Sequence, residues 1–299
     1  MSATVSVIGG ANFDISARLT APFVAADSNL GHTTLGYGGV ARNIAHNLCL
    51  LGHGVRFVTV FGGDIFGGLC HDQCKHIGLD LSLSEQVKGE RNGLYLCINN
   101  QAGDMIAAVA DTEIIMHITP AFLEKRMSEL NQSSAIVADT NISEESLRYL
   151  IDNSLAPLFV DAVSTAKAGR VVSALQKSRS PRLHTLKLNQ KEALSVSGCS
   201  TVVDAAVWLA ALGIEHIYIT LGQEGVYCTS GQMEARFPSL PVEVVNTTGA
   251  GDAFLAGVVH AYLREVSFPH TAQYGLKAAY ATLLSAQAVN PELHAMMNL

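Results

Sequence analysis

Between Pro120 and Gly222 the sequence alternates short apolar runs with stretches of helical periodicity, and few folds accommodate that rhythm. Segments 134–139, 158–161, 185–188 and 217–221 read as strands, and 144–153 and 205–212 as helices. Earlier runs at 5–8 and 55–60 are also strand-like, and 66–77 is helical. Strands covered on both faces read as unbroken apolar runs, whereas a strand with one wet face alternates. The pattern therefore predicts a parallel sheet with helices packed on it. With 299 residues, no internal repeat and no low-complexity linker, the chain is expected to form one domain, 1–299. Hydrophobic residues at 48% and charged residues at 15% supply a large core.

The same numbers exclude some functions. A net charge of −7 argues against a nucleic-acid-binding surface. No basic leader precedes the 5–8 run, and no apolar run reaches membrane-spanning length, so neither secretion nor a membrane is expected. The six cysteines lack scaffold spacing and are read as reduced thiols of a cytoplasmic protein. Cys70, His71, Cys74 and His76 could suggest zinc, but Phe66, Cys70, Cys74 and Ile77 share one helical stripe, which favours a core role.

The chemistry concentrates where strands end. Asn246-Thr247-Thr248-Gly249-Ala250-Gly251-Asp252 follows a strand-like run at 242–245. It precedes a helix that carries Phe254, Val258, Ala261 and Tyr262 on one face. A glycine turn entering a helix exposes unpaired N–H groups at the positive end of the dipole, a site for phosphate. A carboxylate there is repelled by phosphate unless it takes a proton from an attacking hydroxyl, the role expected of Asp252; a helix cap is the alternative. Asn12 and Asp14 follow the first strand, where a polar ligand of an open α/β sheet is met, or an Asx turn sits. Gly38-Gly39 opens a helix in which Val40, Ile44, Leu48 and Leu51 repeat and Gly52 closes the end; Asn43 lies one turn in. Asn189 and Glu192 open another helix, as a capping pair or as a magnesium site.

Two strands at 94–98 and 105–109, with a turn at 100–104, are expected to join β-prone 15–37 in a small sheet formed by about 15–37 and 92–118. Exposed edges there would aggregate unless paired, which favours a homodimer.

Two of these strings, Gly38 to Gly52 and Asn246 to Asp252, resemble in order and spacing the N- and C-terminal signatures of the ribokinase-like (phosphofructokinase-B type) carbohydrate kinases. The resemblance covers essentially the whole chain. It implies a three-layer α/β/α sandwich with a mostly parallel central sheet, and a small β-sheet lid over the substrate. It implies ATP and Mg²⁺ as cofactors and transfer of the γ-phosphoryl group to a primary hydroxyl. Asp252 would be the base, and Gly249, Ala250 and Gly251 the anion hole. Asn12, Asp14, Gly38, Gly39 and Asn43 would hold the sugar. Asn189, Thr220, Gly222, Gly225, Thr248 and Asn290 would border ATP, with Asn189 and Glu192 working through the metal. Relatives usually carry Asp at the position of Asn246, where it helps bind a monovalent cation, so dependence on K⁺ is in doubt.

Stretches 26–29, 38–45 and 137–145 narrow the resemblance to a nucleoside-kinase branch that phosphorylates a 5′-hydroxyl. Asp27, Ser28, Asn29 and Lys167 are then the candidates for contact with the base. Another sugar or nucleoside kinase (ribokinase, adenosine kinase or fructokinase type), or a silent nucleoside-binding sensor, remains the alternative.

Overall fold

The computed structural model describes residues 4–297. In chain order it contains β1 (Thr4–Ile8), β2 (Asn12–Leu19), β3 (Gly31–Gly38), α1 (Val40–Leu50), β4 (Gly54–Val58), β5 (Val60–Gly62) and α2 (Ile65–His76). Next come β6 (Glu85–Val87), β7 (Gly93–Asn99), β8 (Met105–Asp111), α3 (Pro120–Glu124), α4 (Met127–Leu130), β9 (Ala135–Asp139), α5 (Glu144–Asn153), β10 (Leu158–Asp161) and α6 (Thr165–Lys177). The last third holds β11 (Leu183–Asn189), α7 (Gln190–Ser197), α8 (Val202–Ala210), β12 (Ile214–Thr220), β13 (Val226–Thr229), β14 (Glu234–Phe237), α9 (Ala250–Leu263), α10 (Thr271–Leu283) and α11 (Leu293–Met297).

The alternation becomes an eight-stranded sheet in the order β14-β13-β12-β11-β10-β9-β1-β4. The pairings from β12 to β4 are parallel, and β13 and β14 close one edge antiparallel. Successive side chains of β9 enter opposite layers, as the pleat requires. Ile136 and Ala138 join Leu147, Val171 and Leu209 of α5, α6 and α8. Val137 joins Ile44, Leu48, Phe254 and Val258 of α1 and α9. The protein is thus a three-layer α/β/α sandwich, as expected.

A second sheet, in the order β3-β2-β7-β8, rises from the end of β1. β2 and β7 are parallel at its centre, flanked by antiparallel β3 and β8. Register places Leu35, Ile15, Leu96 and Val109 in one row across the four strands. Leu35 is 69% and Val109 63% exposed.

Two expectations need correction. Segment 55–60 is not one strand: Thr59 leaves the large sheet by accepting from Glu85 N, and Val60 pairs with Glu85 in a small β5–β6 ladder. Segment 242–245 is not a strand at all. Pro238 and Pro241 remove donors just before it, and Val245 makes only one backbone bond, N–H to Leu283 O. The run is instead a loop with Val244 and Val245 exposed.

Candidate active site

The carboxyl ends of β1, β9, β10, β11 and β12 converge on the N-terminus of α9. Gly249 enters this helix at φ 82, in the left-handed region, and a Cβ there would strike the Ala288 carbonyl. Glycine is thus demanded by the backbone itself, before any ligand arrives. No side chain caps the helix; the Ala250 N–H donates to Thr247 O at 3.4 Å, leaving the amides of Gly251 and Asp252 to face the site. A Cβ on Gly251 would lie 2.6 Å from Lys187 Nζ, which places that ammonium over the same turn.

Asp252 is buried, with 8% of its surface exposed, and its Oδ2 accepts from Asn43 Nδ2 at 2.9 Å. Burial pushes its pKa up to about 7, Asp161 and Asp139 push the same way, and the Asn43 bond and Lys187 resist. A proton acceptor near neutrality is suited to general-base work at physiological pH. Lys187 Nζ donates to Asp161 Oδ2 at 3.0 Å, both groups being buried. Burial opposes the Lys187 charge, but the carboxylates of Asp161, Asp252 and Glu192 outweigh it and hold the pKa above its ordinary value. Asp139 accepts from the backbone of Ala41 and of Asn141, each at 2.9 Å, and so caps α1 where Gly39 cannot. Burial raises its pKa to about 6.

Toward the small sheet, Asp14 lies over Gly38, and a Cβ on Gly38 would overlap its carboxylate. Burial raises the Asp14 pKa to about 6, against the pull of Arg42. Gly39, at φ 103, passes the Gly10 carbonyl too closely for a side chain. Asn12 Oδ1 similarly fills the space that a Cβ on Gly93 would take. On the other side of α9 opens a cavity of about 620 Å³ whose walls include Thr220, Gly222, Gly225, Val244, Gly251 and Tyr280. A mostly apolar cleft of this size fits a nucleotide base and ribose.

The structure thus gathers Asp252, Asn43, Gly249, Ala250 and Gly251, brings Asp14 against Gly38, and sets Thr220, Gly222 and Gly225 around the cavity. Of the other predicted residues, Lys167, Asn189 and Glu192 border the acidic and basic strand ends, whereas Asn290, Thr248, Asp27, Ser28 and Asn29 stand outside the cluster. Asn290 is turned away: its Nδ2 donates to Ala281 O at 2.6 Å and its Oδ1 accepts from Glu292 N, so it ties α10 to the following loop outside the cavity wall. Thr248 is exposed and also outside that wall; its N–H donates to Asn246 Oδ1. Asp27, Ser28 and Asn29 sit in the exposed connection between β2 and β3, at the opposite end of the hairpin from Asn12 and Gly38. Asn29 spends its amide on that loop, bonding Val24 N, Val24 O and Asp27 O. Lys167 Nζ donates to Asn141 Oδ1 at 2.5 Å and is held beside Asp139. Asn189 and Glu192 form a reciprocal capping box on α7.

Sequence reasoning missed Lys187, Asp139 and Asp161. Asp161 was visible as an acidic strand end, but its partner lies on another strand and no spacing announces it. Cys70 and Cys74 pack in the core beside Phe13 and Phe61, with burial first pushing both thiols up to about 12. His184, Glu215 and His216 bring possible ligand atoms within 4.8 Å of one another. They stand at the amino ends of β11 and β12, away from this site. Among the described residues no single helix is long and apolar enough to cross a membrane.

The pattern of the pfkB family carbohydrate kinases matches residues 2–295. Pseudouridine kinase of Escherichia coli (strain K12) is 33% identical over 97% of this chain and 93% of its own. An uncharacterized sugar kinase of the same strain, YeiI, is 31% identical over 97% of this chain and 80% of its own. Arabidopsis thaliana ribokinase, solved with ribose and ATP, superposes with a TM-score of 0.84 at 17% identity, covering 100% of both chains, and so shares the fold. The chain belongs to the pfkB family of carbohydrate kinases.

Proposed function

We propose that this ATP-dependent kinase phosphorylates the 5′-hydroxyl of pseudouridine, giving pseudouridine 5′-phosphate. The observation that carries the phosphoryl-transfer site is the placement of Asp252: hydrogen-bonded to Asn43 on the sugar side and buried in the first turn of α9. The substrate choice rests on the likeness to the Escherichia coli pseudouridine kinase over nearly the whole chain. Asp252 accepts the hydroxyl proton while the α9 amides and Lys187 offset charge on the transferring group. Asp14 and Asn12 hold the ribose hydroxyls, and the cavity beside Thr220 and Gly225 takes the adenosine.

Pseudouridine carries a ring N–H that uridine lacks, and a site offering it an acceptor rejects the analogue without it. Lys167, beside the acidic strand ends, only donates and so suits a base carbonyl, while the acceptor for that N–H would come from Asp27, Ser28 or Asn29. Asp27 and Ser28, in their exposed turn, reach a base only when the small sheet closes or when a second copy supplies them.

Magnesium is the metal such a reaction uses. Glu192 is buried, and both its oxygens accept from Asn189, through the backbone N and through Nδ2. Each carboxylate oxygen keeps a second lone pair, so the pair fits Mg²⁺ held through its own waters. When bound, the ion would neutralise charge on the ATP phosphates. Asn246 donates through Nδ2 to Ala286 O and accepts from Thr248 N, so its amide closes the loop by itself. Its oxygen could still meet a cation but brings no negative charge, so turnover is expected to be the same with K⁺ as with a bulky organic cation.

ADP release from purified protein given ATP and pseudouridine, uridine, adenosine, ribose or fructose tests the substrate. Pseudouridine is expected to give the highest kcat/KM. A preference for ribose or fructose would instead favour the sugar-kinase reading, which the likeness to YeiI supports. No ADP release with any acceptor would leave a nucleoside-binding protein.

A further inference from the structure

Arg42 is buried, with 5% of its surface exposed, yet no carboxylate lies within ion-pair distance of it among the described residues. Its Nη1 donates to Tyr37 O at 3.2 Å and to Asn43 Oδ1 at 3.1 Å. Its Nε has no hydrogen-bond partner. Burying an arginine this way is costly, and its neighbours do little to offset the cost. Asp14 of β2 acts on it only at longer range, and the thiols of Cys70 and Cys74 on α2 lie close by. Tyr37 of β3 and His46 of α1 complete its charged and titratable surroundings.

The contact with Asn43 is the informative one. A guanidinium only donates, so the atom of Asn43 that meets it must be the amide oxygen. That choice fixes the other end of the amide: the NH₂ group is left facing Asp252 Oδ2, at 2.9 Å. Rotated by half a turn, the same side chain would set an oxygen against a carboxylate. We propose that Arg42 is a positioning residue for phosphoryl transfer, holding the Asn43 amide in the one orientation that donates to Asp252 and so aims the base. The link continues outward, because the same nitrogen donates to Tyr37 at the end of β3, one residue before Gly38. The inference rests on Asp252 being the base.

Asp252 is faced by Asn43 from α1, Asp139 from β9, Asp161 from β10 and Lys187 from β11. A hydrogen bond to the charged form favours that form. Removing the Asn43 donation, with those neighbours in place, makes Asp252 harder to ionise. The acid limb of the pH–rate profile then moves to higher pH.

The test is kcat against pH for the parent, Arg42→Met, Arg42→Gln, Asn43→Ala and the Arg42→Met/Asn43→Ala double variant. Arg42→Met is expected to raise the acid limb by about one pH unit and so lower kcat at pH 7 about fivefold. Glutamine can donate to the Asn43 oxygen without charge, so Arg42→Gln keeps the limb near the parent position. In the Asn43→Ala background Arg42→Met adds less than about twofold, because the two residues act in series. Should the methionine variant fail to fold, Arg42→Leu takes its place in the cycle. A profile for Arg42→Met that superimposes on the parent overturns the proposal. So does an equal loss with and without Asn43, or a Gln variant that shifts as far as Met. Asp252→Asn is the control: if it retains parental kcat the base assignment itself fails, whereas its inactivity beside an unshifted Arg42→Met condemns only the role of Arg42.

Discussion

Asp252 is surrounded by groups that make its negative charge expensive, and this has a consequence for stability as well as for chemistry. Its carboxyl titrates at about 7 in the folded protein against an ordinary value of 3.8. An acid whose pKa is raised by folding binds its proton more tightly in the native state. Its contribution is therefore favourable below pH 4 and is lost as pH rises through the folded value near 7. Asp252→Asn removes the penalty. The variant is expected to melt above the parent at pH 8, with a smaller gain at pH 5; thermal unfolding at the two pH values checks it, and an equal Tm difference at both would contradict it. At this scale the sequence was legible where one residue explains itself by its neighbours in the chain: Asp252 after its glycines, Asn43 after Gly38-Gly39, Asp14 after β1. It was not legible where partners come from different strands. Lys187 and Asp161 meet only because β10 and β11 are adjacent. Asn29 bonds within its own loop and Asn290 ties α10 to the loop after it, partners that no local spacing announces.

The helix α9 gathers these residues, and its two glycines do different work. Gly249 is fixed by the backbone: φ is 82 and the Ala288 carbonyl occupies the space of a side chain. Gly251 has helical geometry, and a methyl there meets only Lys187 Nζ, the far end of a flexible side chain, at 2.6 Å. Gly249→Ala is expected to lose at least about 1–3 kcal/mol of stability from the forced left-handed backbone alone. Gly251→Ala should remain as stable as the parent, since alanine is the better helix former, yet turn over about 10²-fold more slowly because it displaces Lys187 from the anion-binding turn. Urea unfolding and steady-state kinetics on both variants separate the roles; a stable Gly249→Ala or a fully active Gly251→Ala would refute the distinction. The helix itself could be read from its periodicity. The preceding segment could not, because 242–245 has strand composition but the prolines before it, Pro238 and Pro241, and its cavity-side position leave it without a pairing partner.

For the molecule as a whole, the β/α alternation was enough to give the sandwich, because buried parallel strands write themselves as apolar runs. The small sheet was legible as strands, but not in its consequences for assembly. Asp14 lies on the face of β2 that meets the site, whereas Ile15 lies inside the row whose two ends, Leu35 and Val109, are exposed. An apolar sheet face left open to water invites a partner. We propose that it pairs with a second copy, so the parent should have a dimer's mass in light scattering, and Leu35→Glu/Val109→Glu a monomer's. A monomeric parent would remove the proposal.

The proposed reaction turns on one carboxylate that takes a proton from the acceptor hydroxyl at the α9 turn. The direct measurement is kcat for pseudouridine phosphorylation by Asp252→Asn across pH 5–9, beside the parent. A loss of roughly 10²–10⁴ is expected, together with disappearance of the acid limb near pH 7. An Asp252→Asn enzyme with a parental rate, or with the same limb, would contradict it.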